Sequence, residues 1–494
     1  MPASKKNAQR ATGMRTWVIA TTLGLSACTV GPNYVRPQAE APAVYKEAEG
    51  WKAAQPRDGA IRGNWWEVFN EPDLDALEVQ IDVSNQTLRA AEARVREARA
   101  LAAQARAALF PTVSADAVAT RSGSGSRAGG ASGTGSGTSG VRNNFNLALD
   151  ASWELDLWGR VRRNIESSEA SAQASVGDLA AAKLSAHAEL AQDYLLLRVQ
   201  DATIRLLDDT VAAYERSLQL TRNQYAAGVA GRSDVVQAET QLKSTQAQAI
   251  DARIERAQLE HAIAILVGKA PAEFSIAVAP FEAKFPSIPT GMPSELLERR
   301  PDIAAAERRA AAANAQIGVA EAAFFPAVTL SATGGFQSSV IGNLLSVPSR
   351  YWTLGAALTQ VVFDAGLRRA QTDQAIAAYD QSVADYRQTV LAAFQDVEDN
   401  LVALRTLEQE AAVQDEAVKA ARESLAIVVN QYRAGTANYL AVIVIQAAAL
   451  ANERAAISIL GRRLTASVAL VKALGGGWKE APASTASEPA KPSG

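Results

Sequence analysis

The chain is poor in the residues that carry most catalytic and metal chemistry. It has one cysteine, two histidines and three methionines in 494 residues. His187 and His261 lie on predicted long helices without a second ligand at helical spacing, which argues against a metal site. The scarcity of methionine leaves a copper or silver path unsupported. The sequence shows no Ser/His/Asp set, Cys/His pair or phosphate-binding glycine loop in a plausible context, so we predict no enzyme activity and no cofactor.

An excess of charge of either sign is also missing. The chain carries 49 Lys and Arg against 52 Asp and Glu, for a formal net charge of -3. Outside the first residues there is no basic block that could hold phosphates. We therefore expect no nucleic-acid partner.

The first 27 residues have the pattern of a secretory signal peptide. Basic residues up to Arg15 precede a short apolar run over residues 17–25, and the run is followed by Ser26-Ala27-Cys28. The run is too short to span a bilayer, for which about 20 apolar residues are needed. Met14 is an alternative start to Met1.

The single cysteine ends this pattern. Leu25-Ser26-Ala27-Cys28 resembles the bacterial lipobox, in which the cysteine becomes the lipidated first residue of the mature chain. By the same resemblance, Thr29 after the cysteine favours sorting to the outer membrane. We predict that Cys28 is lipidated and that residues 28–63 form a lipid-anchored, extended segment.

Beyond this segment the sequence is a tandem repeat. The motif over residues 223–228 recurs over residues 430–435, at an offset of 435 − 228 = 207. Leu-Phe-Pro at 109–111 matches Phe-Phe-Pro at 324–326, at an offset of 326 − 111 = 215. The eight extra residues of the first half fit the Gly/Ser-rich run over residues 122–140, which reads as a flexible surface loop. We predict a first repeat over 64–280, a second over 281–478, and a disordered tail over 479–494.

Each repeat has the composition of a helix, two strands and two further helices. Residues 161–227 contain no proline and one glycine, and residues 367–434 contain neither, so each run predicts roughly 100 Å of helix. The predicted helices cover about 64–110, 161–227 and 232–267, and then 301–325, 367–434 and 438–474. By themselves these helices also fit a long dimeric coiled coil, because apolar residues from Ile204 to Tyr225 follow a 3-4 spacing.

The segments between the helices alternate in polarity. From Phe145 to Asp156 the apolar side chains fall on every second residue, which predicts a strand with one apolar face. The predicted strands cover about 112–121, 143–156, 327–338 and 351–363, close to the length that a tilted strand needs to cross a bilayer. Four strands cannot close a barrel and open edges are not tolerated in lipid, so three copies would pool twelve strands. The alternative, a soluble sheet with one wet face, leaves the long helices without a surface to pack on.

Several motifs together resemble one family. They are Trp-Trp-Glu-Val-Phe at 65–69, the two Phe-Pro motifs, Arg-Arg-Pro-Asp-Ile at 299–303 and the two Tyr-x-x-Gly motifs that end at Gly228 and Gly435. In order and spacing, from about residue 32 to 478, they resemble the TolC-like outer-membrane factor family in its lipoprotein, NodT-type branch.

The resemblance implies a fold and a function. The fold is that of an α+β membrane protein, a homotrimer with a twelve-stranded outer-membrane β-barrel, four strands per chain, continued by a long periplasmic α-helical barrel. The function is the exit duct of an efflux system. The implied partners are a periplasmic adaptor protein, an inner-membrane pump of the RND type and outer-membrane lipid.

The resemblance also identifies candidate site residues. The two turns between the long helices correspond to the periplasmic tips that contact the adaptor; their residues are Gly228, Val229, Gly231, Arg232, Gly435 and Thr436.

At the periplasmic gate, the acidic positions of relatives fall on Ala441 and Val444. We hypothesise an apolar gate built by Leu440 and Val444, with Asp234 (234 + 207 = 441) supplying negative charge. The alternative is that Val444 packs between helices.

Two other functions remain open at this point. A protein-export duct would have the same fold, and fold alone does not separate it from an efflux duct. A structural periplasmic coiled-coil lipoprotein would lack amphipathic strands.

Overall fold

The computed structural model describes residues 29–39, 42, 44–47, 64–123, 141–281 and 300–476. The predicted signal peptide, Cys28, most of the Gly/Ser-rich run and the C-terminal tail lie outside the described residues. The helices are α1 (Pro72–Ser84), α2 (Gln86–Ala107), α3 (Arg160–Ala226), α4 (Arg232–Leu266), α5 (Pro301–Ala322), α6 (Leu367–Arg433) and α7 (Tyr439–Ala473). The strands are β1 (Thr112–Gly123), β2 (Val141–Leu155), β3 (Ala327–Ser338) and β4 (Arg350–Thr359).

The predicted helix over 64–110 is wrong as a single element. The structure divides it into a short 3-10 turn at Trp65–Phe69, α1 and α2. Asn70 has a left-handed backbone with φ of 53°, which ends the 3-10 turn, and Pro72 then begins α1. Asn85 is extended, and its side chain accepts a hydrogen bond from the Leu88 backbone N–H at 3.0 Å, so it starts α2 as an N-cap.

The four strands form one antiparallel sheet in the order β1-β2-β3-β4. The predicted strand over 351–363 ends earlier, at Thr359. Thr359 pairs with Ala327, the first residue of β3. Pro326 precedes Ala327 and has no N–H to continue the hydrogen bonding between the two strands. Among the described residues, β1 and β4 each have a strand partner on one side, so both outer edges of the sheet are open.

The predicted helix over 301–325 also ends early, at Ala322. The N–H groups of Phe324 and Phe325 donate to carbonyls three residues back, at 3.1 Å each, which tightens the chain into a turn. The indole N–H of Trp158 donates to the Pro326 carbonyl at 2.8 Å, and its ring stacks on Phe325 at 4.9 Å. This turn therefore leads directly from helix into sheet.

The chain folds as two compact units. Unit 1 comprises the described residues within 1–37, 96–174 and 307–384 and contains the sheet. Unit 2 comprises the described residues within 38–95, 175–306 and 385–494 and contains most of the helices. The units do not coincide with the sequence repeats, because each takes segments from both halves.

The core of unit 2 is a helical seam. Buried side chains recur every three or four residues on α3, as at Leu190, Tyr194 and Leu197, and on α6 they include Tyr386 and Val390. Fully burying a side chain of this size contributes about 1.5–3 kcal/mol. The apolar packing of the long helices is thus the main source of stability in this unit.

A buried ion-pair network ties the connecting segment that follows α4, at the end of the first repeat, to this core. Arg198 on α3 is almost fully buried, and its guanidinium donates to the Ala277 carbonyl at 2.7 Å and to Asp73 at 3.0 Å. Arg256 on α4 donates to Asp201 at 2.6 Å and to the Ile276 carbonyl at 2.7 Å. Both arginines therefore hold carbonyls of the connecting segment.

Among the described residues, one helix is long and apolar enough to cross a membrane by length and composition alone, namely Tyr439–Ala473. Core helices pass the same test, and this helix buries Val442, Leu464 and Val468 within unit 2.

Candidate functional site: the two tips and the segment below them

The two turns between the long helices have the same geometry. After α3, the N–H of Val229 donates to the Gln224 carbonyl at 2.8 Å and that of Gly228 to the Tyr225 carbonyl at 2.9 Å. This pair of bonds is a Schellman motif, and it needs a left-handed residue, which Gly228 supplies with φ of 73°. Glycine adopts this backbone without a steric cost.

The second turn repeats these bonds 207 residues later. The N–H of Thr436 donates to the Gln431 carbonyl at 2.9 Å and that of Gly435 to the Tyr432 carbonyl at 3.1 Å, with φ of 75° at Gly435. All six predicted tip residues are exposed: Gly228, Val229, Gly231, Arg232, Gly435 and Thr436.

The helices that follow the two turns are capped in different ways. At α4 the N-cap is Gly231, and the Asp234 carboxylate accepts a hydrogen bond from its N–H at 3.2 Å. At α7 the N-cap is Asn438, and its side-chain oxygen accepts from the Ala441 N–H at 3.0 Å. A capping box combines an N-cap side chain with an acidic side chain three residues later. The first repeat keeps only the acidic residue, Asp234, and the second keeps only the N-cap side chain, Asn438. Ala441, the counterpart of Asp234, is tolerated because Asn438 caps α7.

We predict that each of these caps stabilises its own tip. Asn438→Ala removes an N-cap side chain and should destabilise the first turn of α7 by about 0.5–2 kcal/mol. Asp234→Ala removes a carboxylate from the first turn of α4 and should destabilise it by about 0.3–1 kcal/mol. Amide hydrogen exchange over residues 439–446 and 232–240 measures both effects. Asn430→Ala, at an exposed position inside α6, is the matched control and should leave exchange unchanged. Unaltered exchange at the start of α7 in Asn438→Ala would refute the capping role.

Below the turns, α3, α4, α6 and α7 share one apolar cluster with three buried tyrosines, Tyr214, Tyr432 and Tyr439. The rings of Tyr432 and Tyr439 lie 5.3 Å apart. The Tyr432 hydroxyl donates to Thr221 Oγ1 at 3.1 Å, so α6 of the second repeat is bonded to α3 of the first repeat. Burial raises the pKa of all three phenols, which keeps the hydroxyls protonated.

This contact between the two repeats left no signal in the sequence. Tyr214 was visible as part of a 3-4 seam, and Tyr432 as part of the repeated motif. Nothing in the sequence indicated that Thr221 would be the partner of Tyr432. A hydrogen bond between residues 211 positions apart depends on tertiary packing.

The proposed gate residues lie on one face of α7. Leu440 and Val444 are each 57% exposed, whereas Val442 between them is 1% exposed and packs into the apolar cluster. Residues four apart share a helix face, so the two exposed side chains point the same way. Within the described part of a single chain, Val444 is not packed between helices. The formation of a closed ring by Leu440, Val444 and Asp234 stays a prediction.

In the part of the chain that the structure describes, no group of three His, Cys, Asp or Glu side chains is placed to hold a metal ion. His261 is exposed on α4. His187 is buried on α3 and lies 2.7 Å from the Glu78 carboxylate.

Comparison with known proteins identifies the family. The model of the family described as "Outer membrane efflux protein" matches residues 78–269 and 292–476. The chain is 33% identical to the probable efflux pump outer membrane protein TtgC of Pseudomonas putida over 463 residues, covering 93% of this chain and 95% of that protein. It is 33% identical to the pyoverdine export outer membrane protein OpmQ of Pseudomonas aeruginosa over 466 residues, covering 94% and 96%.

A solved structure agrees with these relatives. The outer-membrane channel OprN superposes with a TM-score of 0.83 at 32% identity, covering 91% of this chain and all of that one. The expected fold class, a helix-rich chain with a four-stranded sheet, is confirmed, as is the resemblance drawn from the motifs. The chain belongs to the outer membrane efflux protein family.

Proposed function

We propose that this chain forms, as a homotrimer, the exit duct of a tripartite efflux system in the outer membrane, and that it passively conducts small amphiphilic solutes. The observation that carries the proposal is the four-stranded sheet with two open edges, joined in one chain to helices of 67 residues. Open strand edges are not tolerated in lipid, so β1 and β4 must pair with other copies. Three copies supply twelve strands, enough to close a barrel.

The faces of β4 support a membrane position. Trp352, Leu354 and Leu358 lie on one face of the strand and are 75%, 71% and 69% exposed in the single chain. Lipid covers such a face in a transmembrane barrel, whose outer surface is apolar with aromatic residues at its borders. At the start of the sheet, Phe110 is exposed as well.

The partners follow from the family and from the tips. Relatives are named as components of efflux pumps, and a passive duct needs an energy source elsewhere. We place a periplasmic adaptor at the six exposed tip residues and an RND-type pump in the inner membrane. The apolar gate of Leu440 and Val444 closes the duct until the adaptor binds, and Asp234 adds negative charge beside it while it caps α4.

We also propose that Cys28 is lipidated. The residues that follow it are bound to unit 1: the Val30 N–H donates to the Trp158 carbonyl at 3.0 Å, and Arg163 donates to the Gly31 carbonyl at 3.0 Å. Trp158 lies three residues after the end of β2, so residues 30 and 31 lie near that end of the sheet. We infer that an acyl chain on Cys28 enters the membrane leaflet at that end of the sheet.

Lipidation predicts a specific mass. The N-terminal peptide of the mature protein should begin at Cys28 and carry acyl groups, and Cys28→Ala should remove them. Mass spectrometry of the purified chain measures this, with Ser26→Thr as a control that leaves the cysteine in place. An unmodified Cys28 in the mature wild-type protein would contradict the proposal.

The protein-export duct is the second candidate. The fold serves it equally well, but the relatives named for efflux pumps and pyoverdine export favour small solutes. A purely structural coiled-coil lipoprotein does not fit, because a coiled coil contains no four-stranded amphipathic sheet.

Dye efflux tests the proposed function. In a strain without the other genes of this family, cells preloaded with a fluorescent amphiphilic dye should release it after re-energisation only when the wild-type chain is present. A variant that cannot assemble serves as the control. Equal release rates with and without the chain would overturn the proposal.

A further inference from the structure

The start of unit 2 is joined to α3 by a buried acid-imidazole pair. Glu78 on α1 is 0% exposed, and its Oε2 lies 2.7 Å from Nδ1 of His187 on α3. The His187 ring stacks on Trp66 of the 3-10 turn, with centroids 4.6 Å apart and an interplanar angle of 16°. Three elements, the 3-10 turn, α1 and α3, thus meet at one titratable contact.

The carboxylates around the pair are only partly satisfied by hydrogen bonds and ion pairs. Within the described residues, Glu78 Oε1 and Asp75 Oδ1 are buried without a hydrogen-bond partner. Asp82 Oδ1 lies 3.7 Å from Nε2 of His187 and is also paired with the Lys183 ammonium at 3.0 Å.

Burial and these neighbours together set the pKa of Glu78. Burial raises the pKa of Glu78 from 4.5 to about 7, against the lowering effect of His187, and the charges of Asp75 and Asp82 raise it further. Burial also raises the pKa of Asp75, and the charge of Glu67 on the 3-10 turn raises it further.

The proton count sets the charge of the contact. When the pair holds one proton besides that of the neutral imidazole ring, its net charge is zero. This is true both for a carboxylic acid beside an imidazole and for a carboxylate beside an imidazolium. Without that proton the pair carries one negative charge in a site where one carboxylate oxygen has no partner. A buried charge of this kind is costly, so its removal favours the packed arrangement.

We propose that Glu78 and His187 form a proton-operated latch that holds α1 and the 3-10 turn against α3 in acid and loosens as the pH rises to neutral. The latch uses none of the residues proposed for the gate, the tips or the strands. It gives the N-terminal helical part of unit 2 a response to the acidity of the surrounding compartment.

The pH window follows from the direction of the shift. A carboxyl whose pKa is higher in the folded state than in the unfolded state binds its proton more tightly when folded. Its stabilisation is complete below about pH 4.5 and is lost as the pH rises through about 7. Acid therefore tightens the latch, in contrast to a salt-bridged carboxylate, which acid would weaken.

Amide hydrogen exchange on the full-length protein tests the latch. After correction for the intrinsic rate, protection over residues 72–84 should fall about thirtyfold between pH 5.5 and 8, the size expected for a pKa displaced from 4.5 to about 7. Residues 239–249 of α4 serve as the internal reference and should show no such change. Equal pH dependence in both segments of the wild-type chain would overturn the proposal, whether or not any variant folds.

Substitution assigns the effect to the pair. Glu78→Gln should remove the fall in protection of residues 72–84 with rising pH, because the amide has no carboxyl proton to lose in this range. Glu97→Gln, an exposed change on α2, should retain it. A pH dependence that persists in Glu78→Gln would show that another group is responsible.

Discussion

Replacing both Leu440 and Val444 with serine is expected to raise the closed-state conductance of the purified channel in planar bilayers by about tenfold or more. The two side chains are exposed on one face of α7, while Tyr439 and Val442 on the opposite side are buried. In the proposed trimer three such faces meet at the axis. A narrow apolar ring closes a pore by expelling water, and hydroxyl groups restore hydration. The burial of one methylene group is worth about 0.8 kcal/mol, and about 1.4 kcal/mol changes an equilibrium constant tenfold. Substitution of both residues in all three chains therefore suffices to shift the equilibrium between the dry and the hydrated pore by tenfold or more.

The control for the gate is a change of the same chemistry elsewhere. Val413 is also an exposed valine, 69% accessible, but it lies on α6 well before the tip in sequence. Val413→Ser should conduct like the wild type. If Leu440→Ser with Val444→Ser leaves the closed-state current unchanged, the gate is not apolar, and the capping carboxylate of Asp234 becomes the first group to test.

A lysine on the lipid face of β4 is expected to prevent assembly of the barrel. Leu354 is 71% exposed in the single chain and lies on the face shared with Trp352 and Leu358. A lysine at the bilayer midplane on this face of a barrel costs about 2–4 kcal/mol per chain. In a homotrimer the cost is incurred three times, which is comparable with the total stability of many folded proteins. Leu354→Lys should therefore leave little trimer in the outer membrane.

The neighbouring residue provides the matched control. Thr353 lies on the opposite face of the same strand and pairs with Thr333 of β3. In a barrel that face lines the water-filled lumen, so Thr353→Lys should assemble at nearly the wild-type level. Membrane fractionation with quantification of trimer measures both variants. Equal assembly of the two would contradict the assignment of the strand faces.

The sequence predicted those features that are local or repeated. Gly228 and Gly435 marked the ends of two helices because a left-handed residue after a helix is nearly always glycine, and both turns are Schellman motifs in the structure. The alternation over β2 predicted a strand because the side-chain period of a strand is two residues. These signals lie within a few residues of the feature they indicate.

The remaining features depend on contacts distant in sequence. The break at Asn85 was not predicted, because no proline or glycine marks it over residues 73–110. The position of Asn85 also depends on the Leu266 carbonyl, to which its side chain donates at 2.8 Å. The pairing of Glu78 with His187 spans 109 residues and left no local pattern. The division into two units also crosses the repeats, because packing follows proximity in space and not sequence similarity.

Growth inhibition after deletion of the gene tests the central claim most directly. The strain should be exposed to a panel of antibiotics, dyes, detergents and metal salts, with complementation by the wild-type chain and by Cys28→Ala, while its secreted proteins are compared with those of the parent. An exit duct for small solutes predicts sensitisation to amphiphilic compounds that the wild-type chain reverses, with an unchanged set of secreted proteins. Unchanged growth on the whole panel together with the loss of a secreted protein would contradict it and favour protein export.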